Sequence, residues 1–174
     1  MNITVRKAIA DDAEDFTRIG FESWKSAYKN IITPEELAKK TSPEKYAERV
    51  QKTTEGILSG EYNYCIALDS DGDISCGFCM FGESRDEDMS GYAEVFAIYA
   101  LEEYWDKGVG GKLMEYTLSE LKRLGHTKAL LWVFEQNARA RRFYEKHGFV
   151  CDNAIKDYPE FARAKGIRYA KKVL

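Results

Sequence analysis

Gly108, Gly110 and Gly111 put three glycines into four positions, between a strand-like run and the start of an amphipathic helix. Few folds use such a spacing. Without Cβ atoms the backbone N–H groups stay uncovered and a ligand can approach the main chain closely. A helix N-terminus also carries about half a positive charge, so this place suits an anion, most naturally a phosphate. The full run is Tyr104-Trp105-Asp106-Lys107-Gly108-Val109-Gly110-Gly111-Lys112-Leu113. It is not the dinucleotide fingerprint, whose sixth position would be Leu113. Nor is it a P-loop, because Asp106 stands at the first glycine and Leu113 at the hydroxyl residue.

The elements on either side set the fold class. Ile3–Lys7 alternates as a short strand, and Asp11 with Glu14 three residues on marks the start of a helix to about Tyr28. Thr33-Pro34-Glu35-Glu36 and Ser42-Pro43-Glu44 are two further helix starts, the second leading to about Leu58. The period then changes to two. Tyr62–Leu68 and Ile74–Phe81 read as strands joined by the turn Asp69-Ser70-Asp71-Gly72-Asp73. Ser84–Gly91 is a polar, acidic loop and Tyr92–Leu101 a long strand. The helix after the glycines carries Val109, Leu113, Thr117, Leu121 and Leu124 on one stripe and stops at Gly125. Thr127–Phe134 is apolar enough to be buried on both faces. A helix from Asn137 ends at Gly148, and Phe149–Lys156 with Gly166–Val173 are the last strands. The expectation is one mixed α/β domain over residues 1–174, with a largely antiparallel, twisted sheet flanked by helices.

No stretch of eighteen apolar residues exists, and Met1-Asn2-Ile3-Thr4-Val5-Arg6 has no signal-peptide core, so a cytoplasmic chain without membrane contact is expected. The net charge of -3 argues against a nucleic-acid surface and is compatible with a cationic substrate. Cys76 and Cys79 form a lone C-x-x-C inside a strand, where residues three apart point to opposite faces. With no second pair and no ligand-like spacing of His126 and His147, buried thiols are expected and no metal.

A second run lies about thirty residues on: Asn137-Ala138-Arg139-Ala140-Arg141-Arg142-Phe143-Tyr144-Glu145-Lys146-His147-Gly148-Phe149. Together the two runs resemble the GCN5-related N-acetyltransferases, which use acetyl-coenzyme A. The family's later signature, Asn-x-x-Ala-x-x-x-Tyr-Glu-Lys-x-Gly-Phe, is matched at every named position. Ser23-Trp24-Lys25-Ser26-Ala27-Tyr28 also looks like the family's first-helix region. The resemblance implies acetyl transfer to a primary amine of a small molecule or peptide, and it leaves a homodimer open. A non-catalytic sensor of acyl-CoA with the same fold is the alternative.

The resemblance also implies the site. The backbone of Trp105, Asp106, Lys107, Gly108, Val109, Gly110, Gly111 and Lys112 would cradle the pyrophosphate. Trp105 stands where Arg or Gln is usual, and Asp106 where Gly is common, so Asp106 must point away from phosphate or be offset by Lys107 and Lys112. A main-chain N–H near Ile98 would polarise the thioester carbonyl, with Ile98, Tyr99 and Ala100 pairing with the pantetheine arm beside a bulged strand. Glu94, eleven residues before the loop, holds the register of the family's catalytic Glu. Even-numbered residues share a strand face, which puts Glu94 with Phe96 and Ile98. Glu94 is the general base, or a water chain replaces it. Tyr144 is either the acid for the departing thiolate or a core tyrosine beside Phe143. Asn137 is both helix cap and cofactor contact. Arg141, with Arg139 and Arg142, reaches the phosphates or forms a solvated face. Trp24 and Tyr28, four apart on one helix face, stack on the acceptor or belong to the core. The acidic loop Glu83 to Asp88 attracts a basic amine or is merely solvated, and Tyr158 and Phe161 are weaker acceptor contacts.

Overall fold

The computed structural model describes residues 1–71, 73–162 and 164–173, which leaves Gly72 of the expected hairpin turn outside the described residues. Seven strands form one sheet in the order β1-β2-β3-β4-β5-β7-β6. They are β1 (Ile3–Lys7), β2 (Asn63–Asp69), β3 (Ile74–Glu83), β4 (Ala93–Ala100), β5 (Lys128–Phe134), β6 (Val150–Asp157) and β7 (Lys165–Lys172). Among the described residues only β4 and β5 run parallel. The helices are α1 (Ala13–Tyr28), α2 (Pro34–Lys40), α3 (Pro43–Ser59), α4 (Val109–Arg123) and α5 (Ala138–Lys146).

The helix starts follow local chemistry. Glu36 N–H donates to Thr33 Oγ1 at 3.2 Å while Thr33 N–H donates to Glu36 Oε2 at 2.7 Å, a reciprocal cap before Pro34. Ahead of α1 the acid that matters is Asp12, one residue past the expected Asp11. It accepts from Ile9 N–H at 2.7 Å and from both guanidinium nitrogens of Arg6 at 2.7 and 2.8 Å. A short turn of 3-10 helix at Ala10–Asp12 shifts the start of α1 to Ala13.

Helix α4 lays Val109, Leu113, Met114, Thr117 and Leu121 into one core against the sheet, and the expected Leu124 is left half-exposed at the C-terminal end. Phe16 and Ile19 of α1 build a second core on the opposite face. Gly77 of β3 is where α4 comes closest. A Cβ there would lie 2.8 Å from Tyr99 O, 2.8 Å from Val109 Cγ1 and 3.0 Å from Leu113 Cδ1. Gly77→Ala is expected to cost about 2 kcal/mol through overpacking, read as a lower denaturant midpoint with an unchanged slope.

Two bulges alter the alternation read from the sequence. On β3, Gly77 faces Ala67 and Ser75 faces Leu68, so Cys76 is the extra residue. Cys76 and Cys79 therefore do not diverge into different layers: both lie in the core beneath α4, as free thiols. On β4, Val95 faces Phe81 and Ala97 faces Met80, so Phe96 is the extra residue. Val95, Ile98 and Ala100 consequently share the α4 core, while Ala97 and Tyr99 face α1. Glu94, adjacent to Val95, lies on the face opposite Ile98, which corrects the expectation that the two share one.

Candidate active site

β4 and β5 pair at three positions only, Ala93 with Ala129, Glu94 with Leu130 and Val95 with Leu131. Beyond them β4 continues along β3 to Ala100, and β5 along β7 to Phe134. The sheet is thus parted from Phe96 onward. Leu101 N–H points toward β3, donating to Cys76 O at 3.0 Å. Strand alternation then aims the main-chain groups of Ile98 and Ala100 into the gap and those of Tyr99 toward β3. Ala100 O receives the Trp105 indole N–H at 2.9 Å and Ser23 Oγ–H at 3.2 Å.

The glycine-led start of α4 lies at the open end of that gap. Gly108 holds a left-handed φ of 87°, and the first bond of the helix runs from Lys112 N–H to Gly108 O at 3.1 Å. The N–H groups of Val109, Gly110 and Gly111 precede that bond and have no helical acceptor. Gly110 and Gly111 line the cleft, whereas the Val109 side chain is buried in the core. Lys112 is already engaged, since its ammonium donates to Ile3 O and its N–H to Gly108 O. Lys107 stays over the Tyr104 ring, 6.0 Å from its centroid.

Trp105 and Asp106, the two departures from the family pattern, are paired by one residue of α5. The Arg139 guanidinium stacks 3.9 Å above the Trp105 ring and comes within 3.6 Å of Asp106 Oδ1. The Asp106 carboxylate points to solvent, and its backbone is left-handed at φ 58°, a conformation that glycine adopts freely. Asp106→Gly is expected to tighten coenzyme A binding by about threefold, because it removes one negative charge beside the glycine-led helix start, measured by calorimetry.

Helix α5 is capped by Asn137, whose Oδ1 accepts from Ala140 N–H at 3.1 Å, and Asn137 itself lines the cleft. Arg139 and Arg142, three apart, share the cleft face. Arg141 does not join them. It turns to the other side, where it donates to the Tyr169 hydroxyl and to Glu135 O, both at 3.1 Å, so its expected role at the phosphates is corrected.

Tyr144 is nine-tenths buried between Phe143 and Phe149. Its hydroxyl has no hydrogen-bond partner among the described residues and is not sealed in the core, so it opens to the cleft that Tyr144 lines. Burial, with Tyr99 and Cys79 nearby, holds its pKa well above the ordinary phenol value. Glu94 is 2% exposed and lines the same cleft. Arg85 forks onto it: NH2 to Oε1 at 2.8 Å and Nε to Oε2 at 3.3 Å, while Arg85 N–H reaches Oε2 at 3.2 Å. The guanidinium also covers the Phe96 ring at 4.3 Å. The β3–β4 register, which sets Gly82 opposite Glu94, is the signal that could have placed Arg85 here.

Trp24 and Tyr28 join an aromatic cluster at the far end of the cleft. Their rings are 4.6 Å apart, Tyr28 is 5.1 Å from Phe134, and Trp24 is 5.7 Å from Phe161. Tyr158 closes the group at 5.3 Å from Phe134. The Tyr28 hydroxyl lies 3.2 Å from that of Tyr99, and burial raises the pKa of both. Two carboxylates of the acidic loop are engaged by one arginine. Arg168 of β7, nearly buried, binds Asp86 at 3.0 Å, Asp88 at 2.8 Å and Asp152 at 2.7 Å, and Asp86 also accepts the Trp132 indole N–H at 3.0 Å. One cleft of about 1470 Å³ joins the glycine cradle, the parted strands, Glu94, Tyr144 and the aromatic cluster.

A mixed sheet parted between its one parallel pair, with a glycine-led helix at the gap, is an acyltransferase fold of the GNAT class. A model of the "Acetyltransferase (GNAT) family" matches residues 24–149, and the chain belongs to that family. An uncharacterised N-acetyltransferase of Bacillus subtilis is 32% identical over 135 residues, covering 78% of this chain and 73% of that protein. A spermidine N(1)-acetyltransferase of Thermoplasma acidophilum is 29% identical over 154 residues, covering 88% and 91%. The PaiA N-acetyltransferase of Thermoplasma acidophilum, solved in complex with coenzyme A, superposes with a TM-score of 0.80 at 25% identity over 99% of each chain. No helix among the described residues is long and apolar enough to cross a membrane.

Proposed function

We propose that this chain transfers the acetyl group of acetyl-CoA directly to a primary amine of a small molecule or peptide. The observation that carries the reading is the meeting, in one cleft, of uncovered helix N–H groups, the parted strand at Ile98, buried Glu94 and the unbonded Tyr144 hydroxyl. These residues fit acetyl-CoA. The N–H groups of Val109 to Gly111 hold the pyrophosphate, Arg139 and Arg142 lie where further phosphate charge is met, and the β4 edge pairs with the pantetheine amides. Bound there, acetyl-CoA supplies an activated thioester carbonyl.

The chain's own groups do the rest. Ile98 N–H donates to the carbonyl oxygen as negative charge gathers on it. Glu94 takes the proton that an ammonium must lose before its nitrogen can attack, either directly or through water, while Arg85 holds its carboxylate in place. Tyr144 donates its proton to the departing thiolate, since a phenol is protonated at neutral pH. Trp24 and Tyr28 form the wall on which the acceptor rests.

A free-thiol release assay with acetyl-CoA tests the reading, run against amino acids, a lysine peptide, aminoglycosides and the polyamines named for two relatives. Turnover on one class is the expected result. Tight acetyl-CoA binding with no release on any amine favours the sensor of the same fold, and no binding at all overturns the proposal.

A further inference from the structure

The acceptor end of the cleft has an unusual charge inventory once the pairs are removed. Arg85 is paired with Glu94, and Asp86 and Asp88, which share the single charge of Arg168 with Asp152, do not line the cleft. Among the described residues that line this end, Lys29, Lys40 and Lys156 then face a single carboxylate outside those pairs, Glu160.

Two of the lysines are fixed by rings. Lys40 Nζ sits 4.9 Å from the Trp24 ring centroid and 5.9 Å from that of Phe161. Lys156 Nζ sits 5.6 Å from Trp132 and 5.8 Å from Tyr158. Neither ammonium has a carboxylate within 4.0 Å among the described residues. Burial lowers the Lys40 pKa, with Arg49 adding to the effect and Glu160 opposing it. Ring faces hold a cation more weakly than an anion does when the site is partly stripped of water. The Lys40 ammonium is partly buried and short of a counter-charge, while Lys156 is exposed.

We propose that the acceptor is a primary amine bearing a carboxylate on the same molecule, with the carboxylate held by Lys40 and Lys156 and the amine directed toward Glu94 and Tyr144. The inference rests on the acetyl-transfer reading and narrows it. A polyamine would bring second and third ammonium groups beside like charges, which costs affinity in a partly dehydrated cleft. A carboxylate removes the imbalance and gains charge-assisted hydrogen bonds.

The test compares α-amino acids with the amines left by their decarboxylation, and with spermidine, on the wild type and on Lys40→Met, Lys40→Arg and Lys156→Met. The wild type is expected to prefer the carboxylated member of each pair by at least about tenfold in kcat/KM. Lys40→Met is expected to raise KM for that member about tenfold with kcat within about twofold, and Lys40→Arg to restore most of it, since a hydrogen bond between charged groups has that size. Calorimetric titration of the amino acids into the coenzyme A complex reads the same loss without any chemistry. Binding that Lys40→Met weakens, together with no acetyl transfer, would sink the catalytic reading and leave this one standing. A preference for spermidine or the decarboxylated amines overturns the proposal. So does a Lys40→Met variant with unchanged KM and Kd for the carboxylated amines.

Discussion

Tyr144→Phe is expected to lower kcat on the order of 10²-fold while leaving the Kd for coenzyme A and the thermal midpoint unchanged. The substitution deletes one oxygen and keeps the ring between Phe143 and Phe149. That oxygen has no internal partner among the described residues, so its removal breaks no bond of the fold and leaves nothing unsatisfied. The loss falls on proton donation, and a positioned acid contributes about 10²–10⁴-fold. The pH dependence has a definite sign. Burial raises the pKa of Tyr144 above the phenol value of 10.0, so the donor stays protonated through the neutral and mildly alkaline range. The kcat of the wild type is therefore expected not to fall between about pH 7 and pH 9.5 on account of this residue. Steady-state kinetics across pH, with calorimetry of both proteins, decide the matter. A tyrosine kept only for packing would leave turnover intact.

The parts of the molecule that were legible in the sequence are those whose cause is local. Thr33 with Glu36, Ser42 before Pro43, Asn137 before α5 and the glycines before α4 each sit beside the backbone groups they serve. A 3.6-residue stripe and a two-residue alternation then sort helix from strand, and the order of elements follows. The bulge at Phe96 carries no such mark. It arises from how β4 meets β3, and by adding one residue it turns Glu94 to the face opposite Ile98. The ion pairs were hidden for a related reason. Arg168 and Asp86 are 82 residues apart, and no periodicity relates them. The loop from Glu83 to Asp88 reads as wholly free negative charge until β7 is folded against it and Arg168 binds Asp86 and Asp88. Arg141 shows the same limit on a smaller scale: three arginines in four positions look alike in sequence, and helical geometry sends one to Tyr169 and two to the cleft.

Arg168→Met carries the largest expected loss of stability. The guanidinium is 7% exposed and satisfies three carboxylates that approach from two directions, Asp86 and Asp88 from the β3–β4 connection and Asp152 from the bulged edge strand β6. Methionine fills much of the volume but leaves three negative charges facing one another, with Asp86 well buried. Removing one partner of a buried ion pair costs about 3 kcal/mol or more, which for a chain of this length is a fall of roughly 6–12 °C in Tm. The gap should narrow in acid. Arg168 depresses the pKa of Asp88, so its contribution is complete above the carboxylate's unfolded value and disappears as pH falls through the lower folded value. Differential scanning calorimetry at neutral pH and well below the ordinary aspartate value of 3.8 reads both effects; an equal gap at the two pH values would rule the mechanism out. The same loop carries Arg85, whose main-chain and side-chain nitrogens hold Glu94. Once Asp86 and Asp88 lose their anchor, Arg85 loses its fixed approach to Glu94. Turnover is then expected to fall in Arg168→Met even at temperatures where the protein is fully folded, because a contact behind the site sets the position of the proposed base.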